Sequence, residues 1–527
     1  MKSRFALVLI FASLTFVSCK PKHPKSAEGD SKPLVFARPG DSVGLDMASQ
    51  DEGEALTIGV NIFETLVEFK SGTAELEPKL AEKWDISPDG KTYTFYLRKN
   101  VKFQDGTPMN ADAVLFSFER QWKKDHPAYK SGVPYKYWGY LSMDNLLADI
   151  KKVDDFTVKI ILKKPNAPFL ANIAMPFLSI VSPTAVLKFQ KQFDQNPVGT
   201  GPYRLKSWKR DDSMELEAFE NYWGDKPHIK RVIVRVIPDN QVRLLELKRG
   251  SIQIMDYPNP SDLDGLKGDK NISMLTREGL NVGYLAFNMK KPPLDRLEVR
   301  QAISYAIDRN RILKEIFLNY GALAKNAIPP ELLGYDSTVP EVQYNPEKAK
   351  ALLKKTGLQN IKIDLWAMPV TRPYNPNPRK MAEFIQSDLS KVGIETKIVS
   401  FDWGTYLDKA GKGEHEMGLF GWQGDNGDPD NFLYSFYSKD TAMVVPAQNF
   451  SFYINDEVTK WLKDAQIVSD TKKRADLYHK VLQKVAVDLP LLPIAHSLLV
   501  VLVRNEVEGF VPEPIGASRR FASVRFK

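Results

Sequence analysis

The sequence predicts a mixed α/β protein of at least two lobes, and three observations carry that expectation. Apolar and polar residues alternate over short stretches, the period of a strand with one buried face. Other stretches space their apolar residues three and four apart, as one face of a helix does. The chain is 527 residues long, more than a single hydrophobic core normally serves.

From the N-terminus, Met1 to Ser18 reads as a secretion signal. Lys2 and Arg4 open it, Phe5 to Val17 is apolar apart from Ser13 and Thr15, and small Ser18 precedes Cys19. The apolar stretch is short for a membrane-crossing helix. Cys19 is the sole cysteine, so no disulfide can form within this chain. Val17-Ser18-Cys19 resembles a bacterial lipobox, with Phe16 where Leu is more usual; the resemblance implies cleavage before Cys19 and lipid attached to it. The alternative is an ordinary signal followed by a free thiol. Residues 19–33, with Pro21, Pro24 and Pro33 among lysines, read as a tether with no apolar face to bury.

The body alternates strands and helices. Tyr93, Phe95 and Leu97 predict a strand, as do Phe156, Val158, Ile160 and Leu162, and again Ile361, Ile363 and Leu365. Asn110 is placed to cap a helix over Ala111 to Arg120. Val299, Ala302, Ile303, Ala306 and Ile307 stripe a helix within Asp295 to Asp308, and Met381, Ile385, Leu389 and Val392 stripe another that Gly393 closes. Leu489 to Val503, the longest apolar run past the signal, is interrupted by Pro490, Pro493 and His496 and reads as a buried strand. Alternation of this kind predicts sheets covered by helices.

Composition excludes more than it selects. Losing Lys2 and Arg4 with the signal lowers the formal charge from +8 to +6, a mild excess suited to solubility or to lying near anionic lipid. The lysines are scattered without a basic helix, so nucleic acid is not an expected partner. Six dispersed histidines give no zinc spacing, and Gly199-Thr200-Gly201 lacks the third glycine of a dinucleotide loop, since position 204 is Arg204. Gly411-Lys412-Gly413 lacks the Ser or Thr of a phosphate loop, and Glu414-His415-Glu416 reads as a solvated loop. No catalytic constellation, metal or cofactor is expected.

One stretch stands out, Gly421-Trp422-Gln423-Gly424-Asp425-Asn426-Gly427-Asp428-Pro429-Asp430-Asn431-Phe432, directly after the apolar strand end Met417 to Phe420. Glycines there permit φ > 0 and close backbone approach, and an Asp in such a turn can meet a cation. A calcium loop fails by position: counted from Asp425 the third place is Gly427, and counted from Asn426 the twelfth is Tyr437 in place of Glu. Upstream, Thr371-Arg372-Pro373-Tyr374-Asn375-Pro376-Asn377 offers a guanidinium. A fixed cation and a fixed anion facing one cleft would bind a zwitterion end to end.

Four stretches together resemble a known family. Ala81-Glu82-Lys83-Trp84 with Asp89 to Arg98 and Val101 to Gly106 is similar to the signature of bacterial extracellular solute-binding proteins, family 5. Gly199-Thr200-Gly201-Pro202-Tyr203 and Gly279 to Tyr284 resemble its next landmarks, and Leu365 to Phe432 resembles the dipeptide binders within it. The resemblance implies a two-lobe periplasmic-binding clamshell of type II. Lobe I would comprise residues 34–56, 197–279 and 496–527 with an extra subdomain at 57–196; lobe II would span 280–495; two crossing strands near Asn281 to Leu285 and Ile494 to His496 would form the hinge. It implies that Arg372 holds a dipeptide's α-carboxylate and Asp425 its α-ammonium. Gly421 and Gly424 would offer backbone amides, while Tyr374, Trp422 and Trp403 would wall roomy side-chain pockets. The protein would then be an exported monomer of the cell envelope, lipid-anchored to a membrane on its periplasmic or extracellular face, delivering dipeptides to the permease of an ABC importer and doing no chemistry itself. Glutathione, heme or a longer peptide as ligand, and a sensor without transport, stay open as alternatives.

Overall fold

The computed structural model describes residues 32–129, 135–516 and 518–527. The signal sequence, Cys19 and nearly all of the tether lie outside the described residues. Twelve strands make the central sheet: β1 (Leu34–Arg38), β2 (Tyr203–Lys209), β3 (Ser213–Ala218), β4 (Arg231–Val236), β5 (Ile254–Met255), β6 (Ile272–Glu278), β7 (Asn281–Phe287), β8 (Gly321–Leu323), β9 (Lys362–Trp366), β10 (Glu395–Val399), β11 (Met417–Gln423) and β12 (Leu491–Arg504). Their order is β10-β9-β11-β7-β12-β5-β1-β4-β3-β2, with β6 and β8 also paired to β12.

One strand belongs to both halves of this sheet. Residues 491–495 of β12 pair with β7, residues 498–504 pair with β6, and His496 and Ser497 lie between. The neighbouring crossing, from β6 into β7, passes through Gly279 and Leu280. Asn281 clasps the two crossings. Its side chain donates to the Ser497 carbonyl at 3.0 Å and accepts from the Ser497 amide at 2.9 Å, while its own carbonyl lies 2.7 Å from His496 Nδ1. The fold is thus an α/β two-lobe clamshell on two crossing hinge strands.

In the second lobe, strands β7, β9 and β11 share a core with the helices Leu297–Ala306 and Pro378–Ser390, through Leu285, Leu365, Leu419, Ile303, Met381 and Ile385. In the first lobe, Ala37, Leu247, Met255 and Leu502 close a core under the helix Asn240–Arg249. The extra module carries its own four-stranded sheet, Ala81–Ile86, Thr92–Leu97, Thr157–Leu162 and Leu147–Asp154 in that spatial order. The helix Gly53–Ile62 runs through residue 57, where the sequence places the module's boundary.

Local expectations meet the structure in most places. Thr92–Leu97 buries alternate residues Tyr93, Phe95 and Leu97. Asn110 accepts the Ala113 amide at 3.2 Å and its helix runs two residues further than expected, to Trp122. The helix expected within Asp295 to Asp308 runs over Leu297–Ala306, and Asp308 caps the next helix, Arg309–Glu315, by accepting the Arg311 amide at 3.0 Å. Two readings need correction. The strand expected to end at Phe420 continues to Gln423, because Gly421, Trp422 and Gln423 still pair with Gly283, Val282 and Asn281. His415 is fully buried, not solvated: Nε2 lies 2.8 Å from the Phe450 carbonyl, and the ring sits among Trp366, Phe420 and Phe452.

Candidate ligand-binding cleft

In the second lobe β9 and β11 run parallel as neighbours, so the loops leaving their carboxyl ends emerge side by side. The first loop carries Arg372 and the second Asp425. In the first lobe β1 and β5 are likewise parallel neighbours, and their carboxyl ends lead to Glu54 and to Asp256-Tyr257. Loops at the carboxyl ends of parallel strands are where α/β sheets bind ligands.

Arg372 is fixed through its backbone. Its amide and carbonyl exchange hydrogen bonds with Asn375 at 3.1 and 2.9 Å, closing a tight turn. Asn377, at the turn's end, accepts the Lys380 amide at 3.1 Å and caps the helix Pro378–Ser390. Arg372 is half-buried; its guanidinium donates from Nη1 to the Thr371 carbonyl at 3.2 Å, lies 5.6 Å from the Trp403 ring centroid, and touches the Tyr374 hydroxyl. Trp403 stacks in turn on buried Tyr406 at 5.7 Å. Among the described residues no carboxylate lies within 4.0 Å of Arg372.

The three aspartates of the second loop divide by partner. Asp428 is held by Arg474 in a bidentate pair at 2.6 and 2.7 Å. Asp430 accepts from Gln466 at 3.1 and 3.2 Å; burial and the neighbouring Asp428 push its carboxyl up to about 7 against the pull of Arg474. Asp425 has neutral partners, Asn431 at 3.5 Å and the Tyr137 hydroxyl, and no cation within 4.0 Å among the described residues. Burial pushes its carboxyl up to about 6, those two hydrogen bonds pull it part of the way back, and Asp51 adds to the rise. A half-buried carboxylate with no counter-ion favours any arriving cation.

The glycines do something other than turn the chain. None of Gly421, Gly424 and Gly427 has φ > 0. A Cβ on Gly421 would stand 2.0 Å from Tyr374 Cδ2, and one on Gly283 would stand 2.2 Å from the Tyr374 carbonyl oxygen. These two glycines on paired strands form the seat of Tyr374, so the tyrosine covers Gly421. Gly424 donates its amide to the Leu280 carbonyl at 2.6 Å and accepts from Gly516 at 2.8 Å, which engages both of its backbone groups within the protein. Trp422 donates to Asn431 Oδ1 at 2.8 Å; the same oxygen accepts the Asp425 amide at 3.1 Å, so the tryptophan braces the aspartate's loop.

Contributors from outside the two loops, among them Tyr137, Asn172 and the group Asp256, Tyr257 and Arg519, carry no local motif. Tyr137, from the helix Lys136–Tyr140, stacks on Phe177 at 3.5 Å and brings the extra module onto Asp425. Asn426 donates to Asn172 Oδ1 at 2.9 Å, a second contact of the aspartate loop with that module. In the first lobe Asp256 and Arg519 form a buried bidentate pair at 3.0 and 2.9 Å beside Tyr257, whose φ of +49° is an uncommon backbone state for an aromatic residue. A separate open cavity of about 720 Å³ between β2 and the helix Pro183–Phe189 is rich in cations, yet Arg204 and Lys206 are paired with Glu217 and Glu215 and Arg210 with the carbonyls of Ser42 and Val43. Among the described residues there is no group of three or more potential metal ligands, and no helix is long and apolar enough to cross a membrane.

Lobes hinged on crossing strands, with polar loops facing across a cleft, define the class of two-lobe solute receptors. The chain belongs to the bacterial extracellular solute-binding proteins, family 5, whose middle region matches residues 75–443. It is 43% identical over 505 residues to the dipeptide-binding protein of Escherichia coli strain K12, covering 93% of this chain and 94% of that one. It is 37% identical over 538 residues to heme-binding protein A of Haemophilus influenzae, covering 98% of each. Among solved structures, an ABC transporter-associated periplasmic binding protein from Helicobacter pylori in complex with the peptide STSA superposes with a TM-score of 0.85 at 38% identity, over 94% of this chain and 98% of that one.

Proposed function

We propose that this chain is the substrate-binding lipoprotein of an ABC importer, and that it captures dipeptides by gripping both charged ends between closing lobes and passing them to a membrane permease. The observation that carries the reading is the pair Arg372 and Asp425. They sit on loops from neighbouring parallel strands, and each lacks an internal counter-charge among the described residues. A planar guanidinium takes a carboxylate through two parallel hydrogen bonds, and a carboxylate sheltered from water is the natural partner of an ammonium. The similarity to the Escherichia coli dipeptide-binding protein points the same way.

In this reading residues 280–495 are lobe II, residues 34–56, 197–279 and 496–527 are lobe I with its extra subdomain at 57–196, and Cys19 anchors the tether to the membrane. Trp403 walls the carboxylate end under Arg372, while Tyr374, seated on Gly283 and Gly421, anchors the Arg372 turn and Trp422 braces the Asp425 loop. Two fixed charges set a length, since each residue extends a peptide by roughly 3.3–3.6 Å. The STSA complex of the Helicobacter relative supports a second reading, in which the cleft also admits longer peptides.

The test is calorimetric titration of refolded, tether-truncated protein with Ala-Phe. One-to-one binding is expected, weakened by about 3–5 kcal/mol in Arg372→Ala. Asp425→Asn should penalise Ala-Phe far more than its N-acetylated form. Normal binding by both variants would overturn the charge clamp, and no binding by a folded protein would overturn the dipeptide.

A further inference from the structure

Lobe I presents a charge of its own to the carboxylate end of the cleft, and the inference drawn from it rests on the peptide reading above. Glu54 lies in the first turn of the helix Gly53–Ile62, at the end of the loop that leaves β1. Its one cationic contact within 4.0 Å among the described residues is Arg38 Nη1 at 3.6 Å. That guanidinium is already engaged, with Asp41 Oδ1 at 2.9 Å, Ser42 Oγ at 3.0 Å and the main-chain carbonyl of Glu54 at 2.5 Å. No hydrogen-bond donor reaches the Glu54 carboxylate itself among the described residues.

The charged and titratable groups facing Glu54 come from every wall around it: Arg38 on β1, Glu52 on the same turn, Asp256 and Tyr257 after β5, Arg243 on the helix Asn240–Arg249, Arg519 near the C-terminus, and Arg372 from the opposite lobe. Asp256 and Arg519 satisfy each other, and Arg243 donates to the carbonyls of Ile237, Pro238 and Tyr257. Arg372 donates from Nη1 to the neighbouring Thr371 carbonyl at 3.2 Å and touches the Tyr374 hydroxyl, so among these cations it is the one not yet committed to a carboxylate or to carbonyls of the opposite wall.

We propose that Glu54 is a specificity-determining residue of this cleft that couples capture of a peptide's C-terminal carboxylate to uptake of a proton. When the ligand carboxylate takes the Arg372 guanidinium, Glu54 is left facing a second carboxylate. It then binds one proton from solvent, becomes a neutral acid, and its new O–H can donate to the ligand. Burial already raises the Glu54 carboxyl to about 7, against the pull of Arg38 and with Asp256 and Glu52 adding to the rise, so little work is needed to discharge it at neutral pH.

The experiment is calorimetry with Ala-Phe at pH 7 in phosphate and in imidazole, whose ionisation heats differ, comparing the intact protein with Glu54→Gln. The dependence of the binding heat on buffer should report uptake of roughly half a proton by the intact protein, and this contribution should vanish in Glu54→Gln. The peptide amine and Asp425 add small terms of opposite sign that persist in the variant. Ala-Phe amide, which keeps the amine and loses the carboxylate, should show no difference between the two proteins. Equal proton uptake in both proteins with Ala-Phe overturns the role of Glu54 alone. Failure of every peptide to bind folded protein overturns the peptide reading and this inference with it.

Discussion

Asp425, Asp428 and Asp430 occupy one short loop and do three different things. Asp428 locks the loop to Arg474, Asp430 rests against Gln466, and Asp425 is left with neutral neighbours. Their stability effects should therefore have opposite signs. Asp428→Asn strands a buried guanidinium and should cost about 3–5 kcal/mol in urea unfolding. Asp425→Asn relieves a sheltered, uncompensated charge and should raise ligand-free stability by about 1–3 kcal/mol while weakening capture of free amines. Equal losses in both variants would show that Asp425 is structural. The sequence pointed to this loop through its density of Gly and Asp, and to Arg372 through the segment around it. It could not separate the aspartates, because the partners that do so lie 36 and 46 positions downstream and arrive by folding. Glu54 and Tyr137 were illegible for the same reason: each is an ordinary residue until tertiary structure sets it beside the cleft.

Strands and helices were legible wherever one face is buried and the period is clean, as in Thr92–Leu97 and Pro378–Ser390. Periodicity failed at the end of β11, where Gly-Trp-Gln looks like the start of a turn but still pairs with β7. What fixes that end is the partner strand, and no local pattern encodes it. The same pairing explains the glycines, which clear room for Tyr374 on two adjacent strands. Alanine at either site should displace the turn that carries Arg372, yet the costs should differ. At Gly421 the obstacle is a ring that can swing aside, whereas at Gly283 it is the Tyr374 carbonyl oxygen, which cannot move without the backbone. Gly283→Ala should thus lose the more stability, with Gly421→Ala near the usual 1–3 kcal/mol of overpacking. Thermal melts and Ala-Phe affinity on the two variants check the ranking, and the reverse order would refute it.

At the scale of the molecule, acid should loosen both the hinge and lobe II. His496 at the crossing and His415 in its aromatic cage are buried and neutral, and burial lowers each to about 4. A folded value below the unfolded one near 6.5 means that the stability held by each neutral ring is complete above 6.5 and is lost as pH falls through 4. The loss is about 3 kcal/mol per ring at most. Glu54, Asp425 and Asp430 pull the other way, since their raised values favour the folded state as pH falls. Comparison with a variant isolates the histidine: between pH 7.5 and 5 the melting temperature of His415→Phe should change less steeply with acid than that of the parent. Parallel curves would exclude His415 as a sensor of acid.

The two crossings also bear on how such a molecule can be taken apart. Glu278 and Leu498 face each other as register partners on antiparallel strands, and a Cβ on Gly279 would stand 2.9 Å from the Ser497 carbonyl oxygen. The chain therefore leaves the first lobe and re-enters it at almost the same point, which makes everything between an insertion whose ends touch. A two-residue Asn-Gly hairpin turn spans a gap of that geometry. Deleting the intervening residues and bridging them this way would return a single-lobed scaffold that keeps the Glu54 wall while lacking Arg372 and Asp425, a half-receptor that can be reassembled with its missing partner in trans.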